Sequence, residues 1–150
     1  MSTTEGVPVV GAEADAWPAR DRLGGDFVCV RVPAAAAYLS VLRTTTASLA
    51  ARLDFTLDEI EDLRIAVDEA SCLLLAGAVE DAELTSVFTM SADSIQISVS
   101  TLTNKGHGPS RDSFAWTVLS ALAGEVDAWT EADGRQTISL IKHRSRDLLT

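Results

Sequence analysis

Glu69 is a carboxylate that its own helix does not need. It lies within Thr56-Leu-Asp-Glu-Ile-Glu-Asp-Leu-Arg-Ile-Ala-Val-Asp-Glu-Ala-Ser-Cys-Leu-Leu-Leu-Ala-Gly77. Ile60, Leu63, Val67, Ala70 and Leu74 recur there at helical spacing, which predicts a helix with one buried face. Thr56 followed by Glu59 predicts a capping box at its start, and Gly77 a stop at its end. Asp58, Glu59, Glu61 and Asp62 fall in the first turns, where the helix dipole favours anions by about 0.3–1 kcal/mol each. Glu69 lies about three turns in, beyond that effect. It points away from the main apolar stripe, with Ile65 and Leu73 as its neighbours at four-residue spacing. A carboxylate beside the apolar run Cys72-Leu73-Leu74-Leu75 is either solvated on a rim or held for a purpose. Asp68 has a simpler expectation, a pair with Arg64 one turn earlier.

Other chemistry-bearing residues give weaker patterns. Cys29 and Cys72 are isolated among apolar neighbours without a metal-site spacing, so reduced core thiols are expected rather than a disulfide or a metal site. Ser71 has neither a histidine nearby in sequence nor a sharp glycine turn, so it does not read as a nucleophile.

Composition bounds the rest. The 150 residues suffice for one domain, and 47% hydrophobic with 23% charged content is that of a globular protein. Twelve basic against 22 acidic residues give a formal charge of −10, which argues against a direct nucleic-acid surface. No apolar run reaches the roughly 18 residues that cross a bilayer, and Met1-Ser-Thr-Thr-Glu-Gly lacks a signal peptide's character, so the expected location is the cytoplasm, with no membrane partner. The basic cluster Lys142-His-Arg-Ser-Arg146 reads as a short solvated tail.

Residues 1–26 read as a flexible lead-in whose Trp17 could dock on the domain. The domain is expected over 27–143, followed by the tail at 144–150. Phe27–Val32 predicts a strand and Ala35–Leu53 a helix with Tyr38, Leu42, Thr45 and Leu49 inward. After the Glu69 helix, Leu84–Met90 and Ser94–Thr101 form a hairpin-like pair, with Ile95, Ile97 and Val99 on one face. A loop over Thr103–Asp112 leads to a helix at Ser113–Ala123 with Phe114, Val118, Ala121 and Leu122 inward. Val126–Glu131 and Gln136–Lys142 are strands joined at Asp133-Gly134. The order β-α-α-β-β-α-β-β predicts an α+β two-layer sandwich, a mixed, mainly antiparallel sheet with helices on one face.

This order, together with Glu61-Asp-Leu-Arg-Ile-Ala-Val-Asp-Glu-Ala70, resembles the anti-sigma regulatory factors and serine-protein kinases of the histidine-kinase-like ATPase (GHKL, or Bergerat) fold. The resemblance covers about Phe27 to His143. It implies that Glu69 stands where the family has its general base, with an Asn four residues later as the magnesium ligand. Here that position is Leu73, which cannot supply the hard oxygen that magnesium needs. The family's adenine-binding Asp and two following glycines fall, without a gap, on Thr101, Thr103 and Lys105. Shifted by three residues they fall on Asn104, Gly106 and Gly108. The family's glycine-rich lid corresponds to Pro109-Ser-Arg-Asp-Ser-Phe-Ala-Trp116, which has no glycine pair, though Arg111 could meet a phosphate.

The resemblance therefore implies ATP and magnesium as cofactors, while the residues at those positions leave the actual cofactor unknown. It implies a sigma factor, an anti-anti-sigma (STAS-type) protein and a second copy as partners. The leading expectation is an anti-sigma factor, released by its antagonist, with a degenerate nucleotide site. The alternative is an active serine/threonine protein kinase that uses Glu69 as base on that antagonist. The acidic residues from Asp54 to Asp68 could face the arginines of a sigma factor.

Overall fold

A computed structural model describes residues 25–145. Most of the expected lead-in, with Trp17, and most of the expected tail lie outside the described residues. The strands are β1 (Phe27–Pro33), β2 (Glu83–Met90), β3 (Ser94–Leu102), β4 (Glu125–Thr130) and β5 (Arg135–His143). The helices are α1 (Leu39–Arg52), α2 (Leu57–Leu75) and α3 (Phe114–Ala123), with a 3-10 turn at Ala36–Tyr38 before α1.

The strands form one sheet in the order β1-β2-β3-β5-β4, and each neighbouring pair is antiparallel. The alternation along β3 sets its faces. Ile95, Ile97, Val99 and Thr101 are buried toward the helix layer. Across β5, Ile138 and Leu140 pair with Val99 and Ile97 and continue that core. On the opposite face Ser139 accepts from Gln96 and Ser98, a polar ladder instead of a second apolar layer. This is the two-layer α+β architecture, with Leu63, Val67, Ala70 and Leu74 of α2 packed into the core.

Helix α2 begins as its sequence dictates. Thr56 accepts from the Glu59 amide at 3.1 Å and the Glu59 side chain accepts from the Thr56 amide at 2.8 Å, completing the capping box. The helix ends at Leu75 with Ala76 as cap, and Gly77 is the first residue beyond it, where the stop is expected. Gly77 also serves a close approach: a Cβ there would lie 2.7 Å from Thr103 Oγ1 and 2.8 Å from Lys105 Cδ. At the β4–β5 turn, Gly134 has φ +97°, as the Asp133-Gly134 pair predicts.

Two helical stripes differ from expectation in phase. In α1 the buried residues are Leu39, Leu42, Thr46 and Ala50, and Tyr38 is 44% exposed, because the 3-10 turn displaces the helix start. The buried Thr46 hydroxyl donates to the Leu42 carbonyl at 2.7 Å, which satisfies it. In α3 Trp116, Leu119 and Ala123 are buried while Phe114 is 82% exposed. Ser113 caps this helix through the Trp116 amide, so Phe114 becomes its first residue and faces out.

Asp68 pairs across the helix layer with Arg43 at 2.6 Å, not with Arg64, which takes Glu61 at 2.8 Å. Packing of α1 on α2 brings a guanidinium to Asp68 that an intrahelical reading cannot see. The cysteines are free thiols but not core residues, since Cys29 is half-buried and Cys72 exposed. The chain end also departs from a solvated tail in its first residues. Arg144 donates to the Leu53 carbonyl at 3.1 Å, and Ser145 bonds to Glu59.

Candidate functional site

The C-terminal end of α2 and the loop after β3 are stitched together, and a cleft opens beside the seam. Asn104 donates its amide to the Gly77 carbonyl at 3.3 Å, Val79 to the Leu102 carbonyl at 3.1 Å, and Ala78 bridges Thr103. The missing side chain at Gly77 is what lets Thr103 and Lys105 lie so close. The cleft is lined by Leu73, Leu74 and Ala76 of the α2 end, by Lys105 and residues 107–110 of the loop, and by Gln136 and Ile138 of β5.

Leu73 forms part of the cleft wall, and Gly108 lies opposite on the loop. Glu69 is half-buried one turn before Leu73 on the same helix, but it is not among the lining residues. Among the described residues it has no hydrogen-bond or ion-pair partner. Thr101 is fully buried, and its hydroxyl donates to the Glu83 carbonyl at 2.8 Å, tying β3 to the start of β2. Asn104 and Gly106 line an adjoining open depression against the β4–β5 turn, with Glu131 and Asp133, and Lys105 borders both it and the cleft. The fold thus gathers Leu73 and Gly108, and leaves Glu69, Thr101, Asn104 and Gly106 outside that lining.

Two lining residues escape a reading of the sequence, His107 and Gln136, and Lys105 enters it only as the ungapped position of a family glycine. Gln136 stands opposite Thr101 in the β3–β5 register and donates its side-chain amide to the His107 carbonyl. That bond holds the loop over the strand.

The lid segment is also held by its own bonds. Arg111 donates to Asp127 at 2.8 Å and to the Ala128 carbonyl at 3.2 Å, and its guanidinium lies 4.5 Å from the centre of the Trp116 ring. The hydrogen bond from Arg111 holds the Asp127 carboxyl below its ordinary range. At the start of α3 the Trp116 amide is already spent on the Ser113 hydroxyl.

ATP with magnesium does not fit this residue set. Magnesium wants hard oxygen ligands, and the position one turn beyond Glu69 offers a leucine. Among the described residues no group of three or more His, Cys, Asp or Glu is placed to hold a metal. The Thr101 hydroxyl is committed to Glu83, and Arg111 to Asp127. The cleft measures about 210 Å³, and the depression that adjoins it at Lys105 about 500 Å³.

Cysteine chemistry offers no alternative centre. Burial pushes the Cys29 thiol up, with Arg31 only partly opposing it. Desolvation and the carboxylates of Asp68 and Glu69 push up that of Cys72. Both thiols stay protonated and weakly nucleophilic near neutral pH.

Comparison with known proteins gives the following. No protein-family model matches the chain. An anti-sigma-F factor RsbW from Mycobacterium tuberculosis is 36% identical over 98 residues, 65% of this chain and 57% of that protein. A serine-protein kinase RsbW from Bacillus cereus is 36% identical over 72 residues, covering 47% and 45% of the two. That of Bacillus subtilis is 47% identical over 45 residues, 30% and 28%. The chain thus spans about half the length of the curated relatives it matches. Among solved structures, the RsbU and RsbW domains of Rv1364c from Mycobacterium tuberculosis superpose with a TM-score of 0.64 at 16% identity, over 81% of this chain and 33% of that one. That likeness shows the fold, a GHKL-type α+β sandwich.

Proposed function

We propose that this chain, a relative of the RsbW anti-sigma factors and serine-protein kinases, is itself an anti-sigma factor. It sequesters a sigma factor in the cytoplasm and gives it up to an anti-anti-sigma (STAS-type) antagonist. It does so as a homodimer with a degenerate nucleotide site. The observation that carries the reading is the 36% identity over 98 residues to a protein named an anti-sigma-F factor. Leu73 in the cleft wall supports the degenerate site.

Binding is assigned to the helix layer on charge grounds. Asp54, Asp58 and Glu61 are exposed around the start of α2, on a chain of formal charge −10. An acidic face recruits a basic partner and speeds its approach. Neighbouring acids are partly neutralised within the chain, since Asp62 meets Lys142 at 3.7 Å and Glu61 meets Arg64. The sigma surface is therefore expected to present arginines toward Asp54 and Asp58 foremost.

A second reading is favoured by one observation: Glu69 is a half-buried carboxylate without a partner among the described residues. In an active serine-protein kinase, the activity that several relatives are named for, it would accept the proton of the antagonist's serine hydroxyl.

Purification of the native protein from its source cell, with its partners and bound nucleotide identified together, tests the proposal. A sigma factor recovered in stoichiometric amount without nucleotide is the expected result. Recovery of an antagonist with stoichiometric ATP or ADP, and transfer of phosphate onto that antagonist, would replace the first reading by the second.

A further inference from the structure

Strand β4 reads Glu125-Val-Asp-Ala-Trp-Thr130, two acids and a tryptophan alternating with smaller residues, which puts the two sets on opposite faces. Glu125, Asp127 and Trp129 lie on the polar outer face, where they line a groove of about 380 Å³ with Gln96, Ser139 and Ile141. Trp129 is 44% exposed there. β4 is also an outermost strand of the sheet. The Glu131 amide donates to the Arg135 carbonyl, so in this antiparallel ladder residues 125, 127 and 129 bond β5, and residues 126, 128 and 130 turn N–H and C=O to the open side. Those groups of Val126 and Thr130 have no partner among the described residues. Such an edge is a template for another strand.

Its middle is covered by side chains. The Ala128 amide donates to Asp127 Oδ1 at 2.8 Å, and Arg111 donates to the Ala128 carbonyl at 3.2 Å and to Asp127 Oδ1 at 2.8 Å. A guanidinium is thus already received here by one carboxylate and one strand carbonyl. The Arg111–Asp127 pair is more than half exposed on both sides, as is the pair of Glu125 with His143, so either yields at little cost. Charge selects the occupant. A second copy of β4 paired antiparallel about Ala128 would set Glu125 opposite Glu131, which is unfavourable. A strand with Arg or Lys at alternate positions sets cations beside Glu125 and Asp127 and over the Trp129 ring. We propose that the β4 edge docks an extended basic segment of a partner protein as a sixth strand, its cations on Glu125, Asp127 and Trp129 and its intervening residues bonded to Val126 and Thr130. Arg111 swings aside on docking. The surface is distinct from the acids at the start of α2, and the inference does not rest on sigma capture.

Titration of the full chain with the peptide acetyl-Val-Arg-Val-Arg-Val-Arg-amide, followed by amide NMR signals, tests it. One control is the same peptide N-methylated at its first and last valines, which keeps its charge but cannot donate to Val126 and Thr130. The other has Glu in place of Arg. The Val126 and Thr130 signals are expected to shift to saturation, and their exchange with solvent to slow. The N-methylated peptide should bind about tenfold more weakly, the scale of two lost hydrogen bonds, and the acidic peptide not at all. Arg111→Ala uncovers Ala128 and Asp127 and should tighten binding about threefold, the scale of one exposed ion pair. Equal binding of the N-methylated peptide, or shifts confined to the start of α2, would reduce the interaction to charge alone and overturn the inference. No saturation, weaker binding by Arg111→Ala, or a dimer of that variant in place of peptide binding would overturn it too.

Discussion

The Ser145 hydroxyl donates to Glu59 Oε2 at 2.6 Å, and the Ser145 amide reaches the same oxygen at 2.8 Å. The other carboxylate oxygen accepts from the Thr56 amide. One side chain, 7% exposed, thus closes the start of α2 and fastens the chain's exit from β5 onto it. Arg144 adds a bond to the end of the α1–α2 connection at Leu53. Glu59→Ala removes half of the capping box and the Ser145 contacts together. A loss of about 2 kcal/mol is expected, near the upper end for a helix cap. Ser145→Ala should cost about 1 kcal/mol, and the double variant less than the sum, because the pair shares one bond. Urea denaturation of the four proteins measures the coupling.

The same carboxylate makes stability depend on acid. Desolvation pushes the Glu59 carboxyl up, but the hydrogen bonds from Ser145 and Thr56 outweigh it and hold it below its ordinary value. A carboxyl whose folded pKa is depressed stabilises the fold above its unfolded pKa, about 4.3 for Glu. It loses that contribution as pH falls through the folded value. Unfolding free energy measured between pH 7 and pH 3 should therefore drop more steeply below about pH 4.3 in the unaltered protein than in Glu59→Gln. Parallel curves would mean that the bonds to Glu59 do not favour its charged form.

Gly77 carries the approach that builds the cleft. An added Cβ would sit 2.7 Å from Thr103 Oγ1 and 2.8 Å from Lys105 Cδ, so Gly77→Ala must shift these side chains and is expected to strain the loop after β3 that carries them. A cost of about 1–3 kcal/mol is expected, the usual range for forced overpacking. Amide exchange should quicken at Asn104, whose N–H bonds the Gly77 carbonyl. Unchanged exchange there would show that the lysine stem alone gives way.

If the exposed acids around the start of α2 meet a basic partner, association must weaken with salt. Between about 0.05 and 0.5 M salt the association rate for a sigma factor should fall at least tenfold, with a much smaller change in dissociation. Asp58→Asn should flatten the slope. An association rate indifferent to salt would place the interface elsewhere.

The order of elements was legible because its signals are local. The α2 capping box lies within four residues, the β3 alternation repeats every second one, and Asp133-Gly134 is a turn in itself. Phase was harder. The α3 helix is apolar on several sides, so Phe114 and Trp116 compete for the core, and the Ser113 cap decides in favour of Trp116. Contacts between distant segments leave no local trace: Ser145 and Glu59 are 86 residues apart, and Arg43 and Asp68 are 25 apart. For the candidate site, the four-residue spacing of Glu69 and Leu73 could be read from the chain. The placement of Lys105, His107 and Gln136 around one cavity depends on the β3–β5 register and on the bare backbone at Gly77, which only the fold supplies.

The central claim is capture of a sigma factor without help from a nucleotide. Calorimetric titration of the purified chain with its sigma factor, in the presence and absence of ATP–magnesium, measures it directly. Saturable binding whose affinity is the same within about twofold under both conditions, a difference under 0.5 kcal/mol, is the predicted result. No binding in either condition, or binding that requires ATP–magnesium, would contradict the account.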